Sequence, residues 1–260
     1  MRGTEGRGGR GMPREIRLKG SYIQVRRKNG EVTFGGDQGF FREGNGREDA
    51  RKEAAGCGIV AFSDLLLYLA GRDGAYRIKQ NAGLVNRILD ETEYKAYYDA
   101  FYNSFGGLPW KGGISGLKLR SEFNRAARKN GWRLRAVWGL DGNKIFDRTE
   151  RMLKNDIPVI LCIPMMLRRR ERNDRLWLYE KEETKAAYRR VKAVSAHYVT
   201  VTGMCWDAGG AYLEISSWGR KFYIRREEYD TFIHTHFMGT ILGNILYIRQ
   251  KSENTEVHTE

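Results

Sequence analysis

Hydrophobic and polar positions follow a helical period over much of the first two thirds of the chain. The run from Gly56 to Leu69 is apolar nearly throughout and predicts a buried helix. Apolar residues at helical spacing predict further helices over these ranges: 78–105 (one or two helices), 115–130 and 144–154. Two short apolar runs between them predict buried strands over 132–137 and 158–163.

From His197 onward the pattern changes to strands. Strands are predicted over 197–204, 211–216, 221–224 and 240–248, with a short helix over 227–233. Before the first helix, short strands are predicted within 15–27 and 31–36, followed by a polar loop over 37–52. The charged segment 167–191 is predicted to be a surface helix or excursion. Helices followed by an antiparallel sheet indicate an α+β fold.

Composition adds limits to this picture. The chain of 260 residues fits a single domain over 14–250, between tails at 1–13 and 251–260 that we predict to be disordered. No run is long and apolar enough to predict a transmembrane segment. Three cysteines and no secretory signal favour a cytoplasmic, reducing location without disulfides.

The net charge of +14 raises the question of an anionic partner. Residues 1–30 hold nine Arg and Lys against two Glu, and 167–175 hold five Arg, so part of the excess is local. Aromatic residues are not interleaved with the basic ones in a nucleic-acid-binding motif. We therefore favour a basic protein with a charged tail over a specific nucleic-acid binder, which would show steep salt dependence of binding.

Cys57 is the first candidate for chemistry. It stands between Gly56 and Gly58 at the predicted start of the buried helix. Amides at a helix N-terminus stabilise a thiolate, and flanking glycines leave the sulfur accessible. The alternative is a buried cysteine that packs as a small hydrophobe.

His197 is the candidate base. It begins a strand about 140 residues after Cys57, and a histidine is the usual partner of a cysteine nucleophile. If the next hairpin turns near 206–207, His197 faces Ser216 across the strands, on the face that also holds Glu214. His234 and His236 have metal-like spacing without a second ligand cluster, so we interpret them as structural or surface residues and expect neither metal nor cofactor.

The motifs Gly56-Cys57-Gly58, His197-Tyr198-Val199 and Ser216-Ser217-Trp218-Gly219 resemble, in order and spacing, the papain-like cysteine peptidase superfamily. The nearest members in kind are the bacterial double-glycine leader peptidases. The resemblance implies a papain-like fold, Cys57 as nucleophile, His197 as base, Gln38 as oxyanion donor and Ser216 as the group that orients the histidine. Gln38 lies 19 residues before Cys57, so the intervening chain must fold back, and Ser216 stands where relatives carry Asn or Asp.

The function implied is a thiol-dependent hydrolase, a cysteine peptidase or amidase, that cleaves a peptide or amide substrate through an acyl-enzyme at Cys57. Two alternatives stay open. The same fold could serve as a catalytically weak or inactive binding or scaffold protein, because serine orients an imidazole poorly. The basic charge could instead indicate a protein that binds nucleic acid or acidic partners.

Overall fold

A computed structural model describes residues 14–44, 46–108, 113–165, 175–182, 187–207, 209–235 and 238–250. Its helices are α1 (Arg47–Ala55), α2 (Cys57–Arg72), α3 (Glu91–Ser104), α4 (Gly116–Lys129), α5 (Ile145–Lys154), α6 (Arg226–His234) and α7 (Gly239–Leu242). Its strands are β1 (Arg14–Arg17), β2 (Gln24–Arg26), β3 (Val32–Phe34), β4 (Ile88–Asp90), β5 (Leu134–Trp138), β6 (Val159–Ile163), β7 (Leu176–Glu182), β8 (Ala187–Val194), β9 (His197–Asp207), β10 (Gly210–Ser217), β11 (Arg220–Arg225) and β12 (Ile245–Gln250).

A nine-stranded antiparallel sheet organises the described residues. Its order is β5-β12-β6-β9-β10-β11-β7-β8, and β1 also pairs with β9. A separate three-stranded sheet, β3-β2-β4, contains a parallel pair between β2 and β4. The α+β prediction is thereby confirmed.

Helices cover both faces of the large sheet. Strand β6 lies between them and is apolar throughout, because its side chains are buried on both faces. Ile160 and Cys162 belong to the hydrophobic cluster that includes α2, α3 and α4. Val159, Leu161 and Ile163 belong to the opposite cluster, with α5 and α6. A strand buried on both faces reads as a continuous apolar run.

Helix α2 is the central helix of the first cluster, and thirteen of its sixteen residues are buried. It follows α1 directly, and the two helices meet at Gly56 with a bend of 73°. Among the described residues no single helix meets the length and hydropathy expected of a membrane span, and α1 with α2 does so only as this bent pair. The bend lies directly before Cys57, the first residue of α2, which is itself buried.

Gly56 is required by close packing at this bend. A Cβ atom there would overlap the carbonyl oxygen of Lys52 and the hydroxyl of Tyr98. We expect Gly56→Ala to lower the free energy of unfolding by about 1–3 kcal/mol, measured by urea denaturation. Gly83→Ala is the matched control, because a Cβ at Gly83 meets no atom within 4 Å, and an equal loss in both variants would contradict the packing argument.

Several predicted elements are wrong. The range 37–52, predicted as a loop, holds a short 3-10 turn at 38–41 and most of α1. Within 167–191 the described part forms β7 and β8, which pair antiparallel, in place of a helix or irregular excursion. The predicted strand 240–248 divides into α7 and β12. Residues 1–13 and 251–260, predicted as disordered tails, lie outside the described residues.

Candidate active site

The start of α2, the start of β9 and the end of β10 meet around one small cavity. Its lining comprises Gln38, Cys57, Val60, Ala61, Asp64, His197, Tyr198, Val199, Thr200, Ser216, Ser217 and Trp218. All four residues singled out from the sequence are therefore brought together. The cavity measures about 10 Å³, about the space that one water molecule needs.

The Cys57 thiol sits at the first turn of α2 and is buried. The backbone N–H of Tyr198 lies 3.5 Å from its sulfur. Burial raises the pKa of the Cys57 thiol, and the backbone N–H groups of Tyr198, Gly58 and Cys57 offset only part of that rise. The stabilisation of a thiolate expected from the helix N-terminus does not outweigh the effect of burial on this pKa.

The His197 imidazole is fixed from two directions. Its Nε2 lies 2.7 Å from the hydroxyl of Ser217, and its ring stacks on Trp218 with centroids 4.2 Å apart and planes 9° from parallel. Burial lowers the pKa of His197 to about 3, with a smaller effect from the positive charge of Lys192. The imidazole is therefore neutral at pH 7, and in the tautomer in which Nε2–H donates to Ser217, Nδ1 is the nitrogen that can accept a proton.

Trp218 owes its position to a tight turn. Ser217 and Arg220 pair across the β10–β11 hairpin, so Trp218 and Gly219 are its two loop residues. Both have positive φ, 49° and 68°, as a type I′ turn requires. This conformation is common for glycine but costs a tryptophan about 1–3 kcal/mol. The backbone strain of this turn therefore lies in Trp218, the residue whose ring stacks on His197.

The predicted pairing of His197 with Ser216 is wrong. Strand β9 extends to Asp207, and a register shift follows between Glu214 and Ile215, so Ser216 pairs with Thr200. The Ser216 hydroxyl donates to the carbonyl oxygen of Phe34 at 2.8 Å. Ser217, one residue further on, is the group that contacts the imidazole.

Gln38 reaches the cavity because α1 returns the chain between it and Cys57. Gln38 begins a 3-10 turn whose N-cap is Asp37. Its side-chain amide donates to the carbonyl oxygen of Glu53 in α1. The fold-back expected from the long spacing is present, and the Gln38 amide is held by α1.

Asp64 is a buried polar residue of the cavity that the sequence reasoning did not select. Its Oδ1 accepts a hydrogen bond from the Tyr94 hydroxyl at 2.7 Å, and its Oδ2 accepts one from the Tyr22 hydroxyl at 3.0 Å. The Gly36 backbone N–H also donates to it. Burial raises the pKa of Asp64 to about 6, against the lowering effect of these donors. A spacing of seven residues from Cys57 places both on one helix face, which is the sequence pattern that could have identified it.

The remaining histidine and cysteine candidates lie elsewhere. His234 is exposed at the end of α6, where its Nδ1 lies 2.8 Å from the carbonyl oxygen of Asp230, and His236 is outside the described residues. Cys162 and Cys205 are buried and free. In the part of the chain that the structure describes, no group of three His, Cys, Asp or Glu side chains could hold a metal ion.

An open apolar groove of about 320 Å³ borders the site. Tyr198, which follows His197, lines both spaces. The groove, called the apolar groove below, is lined by Ser115, Gly116, Leu117, Trp138, Leu140, Cys162, Pro164, Met165, Tyr198, Ile241 and Leu242. Leu117, Leu140 and Met165 are 58%, 65% and 60% exposed, which is high for large apolar side chains and indicates a ligand surface.

The two adjacent serines provide a matched test of which one orients His197. We expect Ser217→Ala to lower kcat/KM for peptide hydrolysis about tenfold, because one neutral hydrogen bond to the imidazole is lost. Ser216→Ala removes only the bond to Phe34 and should change kcat/KM less than twofold. A larger loss from Ser216→Ala than from Ser217→Ala would contradict the assignment.

Comparisons of the chain with protein-family models, with curated proteins and with solved structures gave no match.

Proposed function

We propose that the protein is a thiol-dependent hydrolase with a papain-like arrangement, a cysteine peptidase or amidase that acts through an acyl-enzyme at Cys57. The observation that carries the proposal is the meeting of a helix-start cysteine and a strand-start histidine in one cavity, with the Ser217 hydroxyl 2.7 Å from Nε2 of the imidazole. A cysteine, a base and a group that orients the base are the parts that nucleophilic catalysis needs.

In the proposed reaction the Cys57 sulfur attacks the substrate carbonyl carbon while its proton passes to the neutral His197. The backbone N–H groups at the start of α2 stabilise the negative charge that develops on the carbonyl oxygen. His197 then gives its proton to the leaving amine, and the acyl-enzyme forms. Water, activated by the same histidine, hydrolyses the thioester and restores the thiol.

Gln38 is proposed as a second oxyanion donor. Its amide now donates to Glu53, so this role requires the side chain to turn from that carbonyl toward the substrate. The apolar groove beside Tyr198 is the proposed binding site for a large apolar side chain of the substrate, next to the scissile bond. The three free cysteines suit a reducing, cytosolic setting.

The size of the cavity favours a second candidate function. About 10 Å³ admits no peptide, and both the thiol and the imidazole are neutral. A binding or scaffold protein that retains the arrangement without turnover would have these properties.

The two functions are separated by cleavage mapping. The protein and its Cys57→Ser variant are incubated with a mixture of defined peptides, and new termini are found by mass spectrometry. Hydrolysis predicts new termini only with the parent protein, and a thioester adduct on the Cys57 peptide after acid quenching. New termini in neither sample, with no adduct, would favour the binding protein.

A further inference from the structure

Three arginines line a groove at the outer edge of the large sheet. The groove, about 310 Å³, is formed by Arg120, Asn124, Arg128, Leu134 and Arg135 and is called the arginine groove below. All three arginines are exposed. Their neighbours Lys118 and Arg125 pair with Glu122. Among the described residues, no carboxylate forms a salt bridge with the three groove arginines, so their charge is available to an anion from outside.

The arginine groove and the apolar groove are built on the same two elements. Helix α4 supplies Leu117 to the apolar groove and Arg120 and Arg128 to the arginine groove, while β5 supplies Trp138 to the first and Arg135 to the second. The two elements are antiparallel, because Gly116 packs on Trp138 and the Asn124 side chain bonds both backbone groups of Ala136. The grooves therefore follow one another along α4.

The rise of helix α4 gives the distance between the apolar groove and the arginine groove. Leu117 and Asn124 share a face, since they are seven residues apart. At about 1.5 Å of rise per residue, Arg120 lies about 4.5 Å and Arg128 about 16 Å along the axis from Leu117. An extended peptide covers about 3.3 Å per residue, so the arginines lie about two to five peptide residues from the apolar groove.

We propose that the two grooves together bind a polypeptide substrate that carries an apolar residue beside the scissile bond and a block of acidic residues about two to five positions away. The acidic side chains pair with Arg120, Arg128 and Arg135, and the apolar side chain packs on Trp138 and Leu117. This proposal rests on the proposed hydrolase for the cleavage step, while the binding it describes can be measured without turnover.

Two features favour an acidic peptide over a nucleic acid. Proteins that bind single strands combine basic grooves with aromatic platforms for the bases, and the lining of the arginine groove contains no aromatic residue. The apolar groove next to it contains open aliphatic side chains, which suit a peptide side chain better than a sugar-phosphate backbone.

The test uses the full chain with Cys57→Ala, so that no probe is consumed. Fluorescein-labelled peptides with two leucines and five glutamates, in both orders, are compared by anisotropy with peptides in which glutamine replaces glutamate, and with a ten-residue oligothymidylate. We expect the glutamate peptide in one order to bind about tenfold more tightly than its glutamine counterpart. R120Q/R128Q/R135Q should remove that difference, because three exposed ion pairs at about 0.5 kcal/mol each amount to about tenfold.

The control R26Q/R189Q/R225Q lowers the net charge equally at arginines elsewhere that pair with carboxylates, and it should bind within about twofold of the parent. Equal binding of glutamate and glutamine peptides, equal losses in both triple variants, or tighter binding of the oligonucleotide would each overturn the proposal. Failure of the hydrolase shows separately, as acidic peptides that bind the parent protein but are not cleaved.

Discussion

A His197→Gln variant is expected to lose about a thousandfold or more of the kcat/KM for peptide hydrolysis. The Cys57 thiol has a raised pKa in its buried position, so attack depends on removal of its proton at the same time. In the proposed reaction the neutral imidazole, held by Ser217 and Trp218, is the base that takes that proton. Glutamine keeps much of the volume beneath Trp218 and cannot act as the base.

His234→Gln is the matched control for that experiment. His234 is exposed at the end of α6, and its replacement should leave kcat/KM within about twofold of the parent value. Far-ultraviolet circular dichroism and urea denaturation verify that both variants are folded. A folded His197→Gln protein with activity within tenfold of the parent would contradict the role of His197 as base.

The second large effect is expected from Asp64→Asn on the pH dependence of stability. The pKa of Asp64 is raised to about 6 in the folded protein, against about 3.9 unfolded. The folded state holds this proton more tightly, so the contribution to stability is complete below the unfolded pKa and is lost as the pH rises through 6. The full contribution is about 3 kcal/mol.

His197 has the opposite effect on the pH dependence of stability. Its pKa falls from about 6.5 unfolded to about 3 folded, so its contribution is complete above pH 6.5 and is lost as the pH falls toward 3. Between about pH 4 and 6 the two groups largely cancel in the parent protein. Asp64→Asn removes one of them and should therefore make the protein more sensitive to acid.

The measurement is the free energy of urea unfolding at pH 4 and pH 7. Relative to the parent, Asp64→Asn should become less stable by about 2 kcal/mol on going from pH 7 to pH 4, most of the full contribution. The exposed carboxylate of Asp147 provides a control, and Asp147→Asn should stay parallel to the parent. A constant difference between Asp64→Asn and the parent at both pH values would show that burial does not raise the pKa of this carboxyl.

The apolar pattern was sufficient to predict the elements that carry the site. A nearly continuous apolar helix after Gly56 and a β-branched strand after His197 leave few alternatives, because each must be buried. Helix α1 was missed because six of its nine residues are charged and its apolar residues are only alanines, although Lys52 is buried. The β7–β8 pair was missed because only one of the eight β8 residues is buried, so no apolar alternation marks the strand in the sequence.

The error at Ser216 has a local cause. The count assumed a turn near 206–207, but Asp207 still pairs with Gly210, which displaces the pairing by four residues. The irregularity between Glu214 and Ile215 then moves it back by only one. The Trp218-Gly219 turn, at which β10 ends, then directs Ser217 to the imidazole. The positive φ of Trp218 does not follow from residue type. The next residue of the turn, Gly219, is held by backbone hydrogen bonds with Phe34 and Gly36.

We propose that His197 makes Cys57 a nucleophile, and the reactivity of Cys57 relative to the other two cysteines tests this directly. Their exposed fractions are nearly equal, 8% for Cys57 and 9% for Cys162 and Cys205, so accessibility does not separate them. We predict that iodoacetamide modifies Cys57 about tenfold or more faster than the other two at pH 7.5, and that His197→Gln removes this advantage. Equal rates at the three thiols of the parent protein, measured by peptide mass spectrometry, would contradict the account.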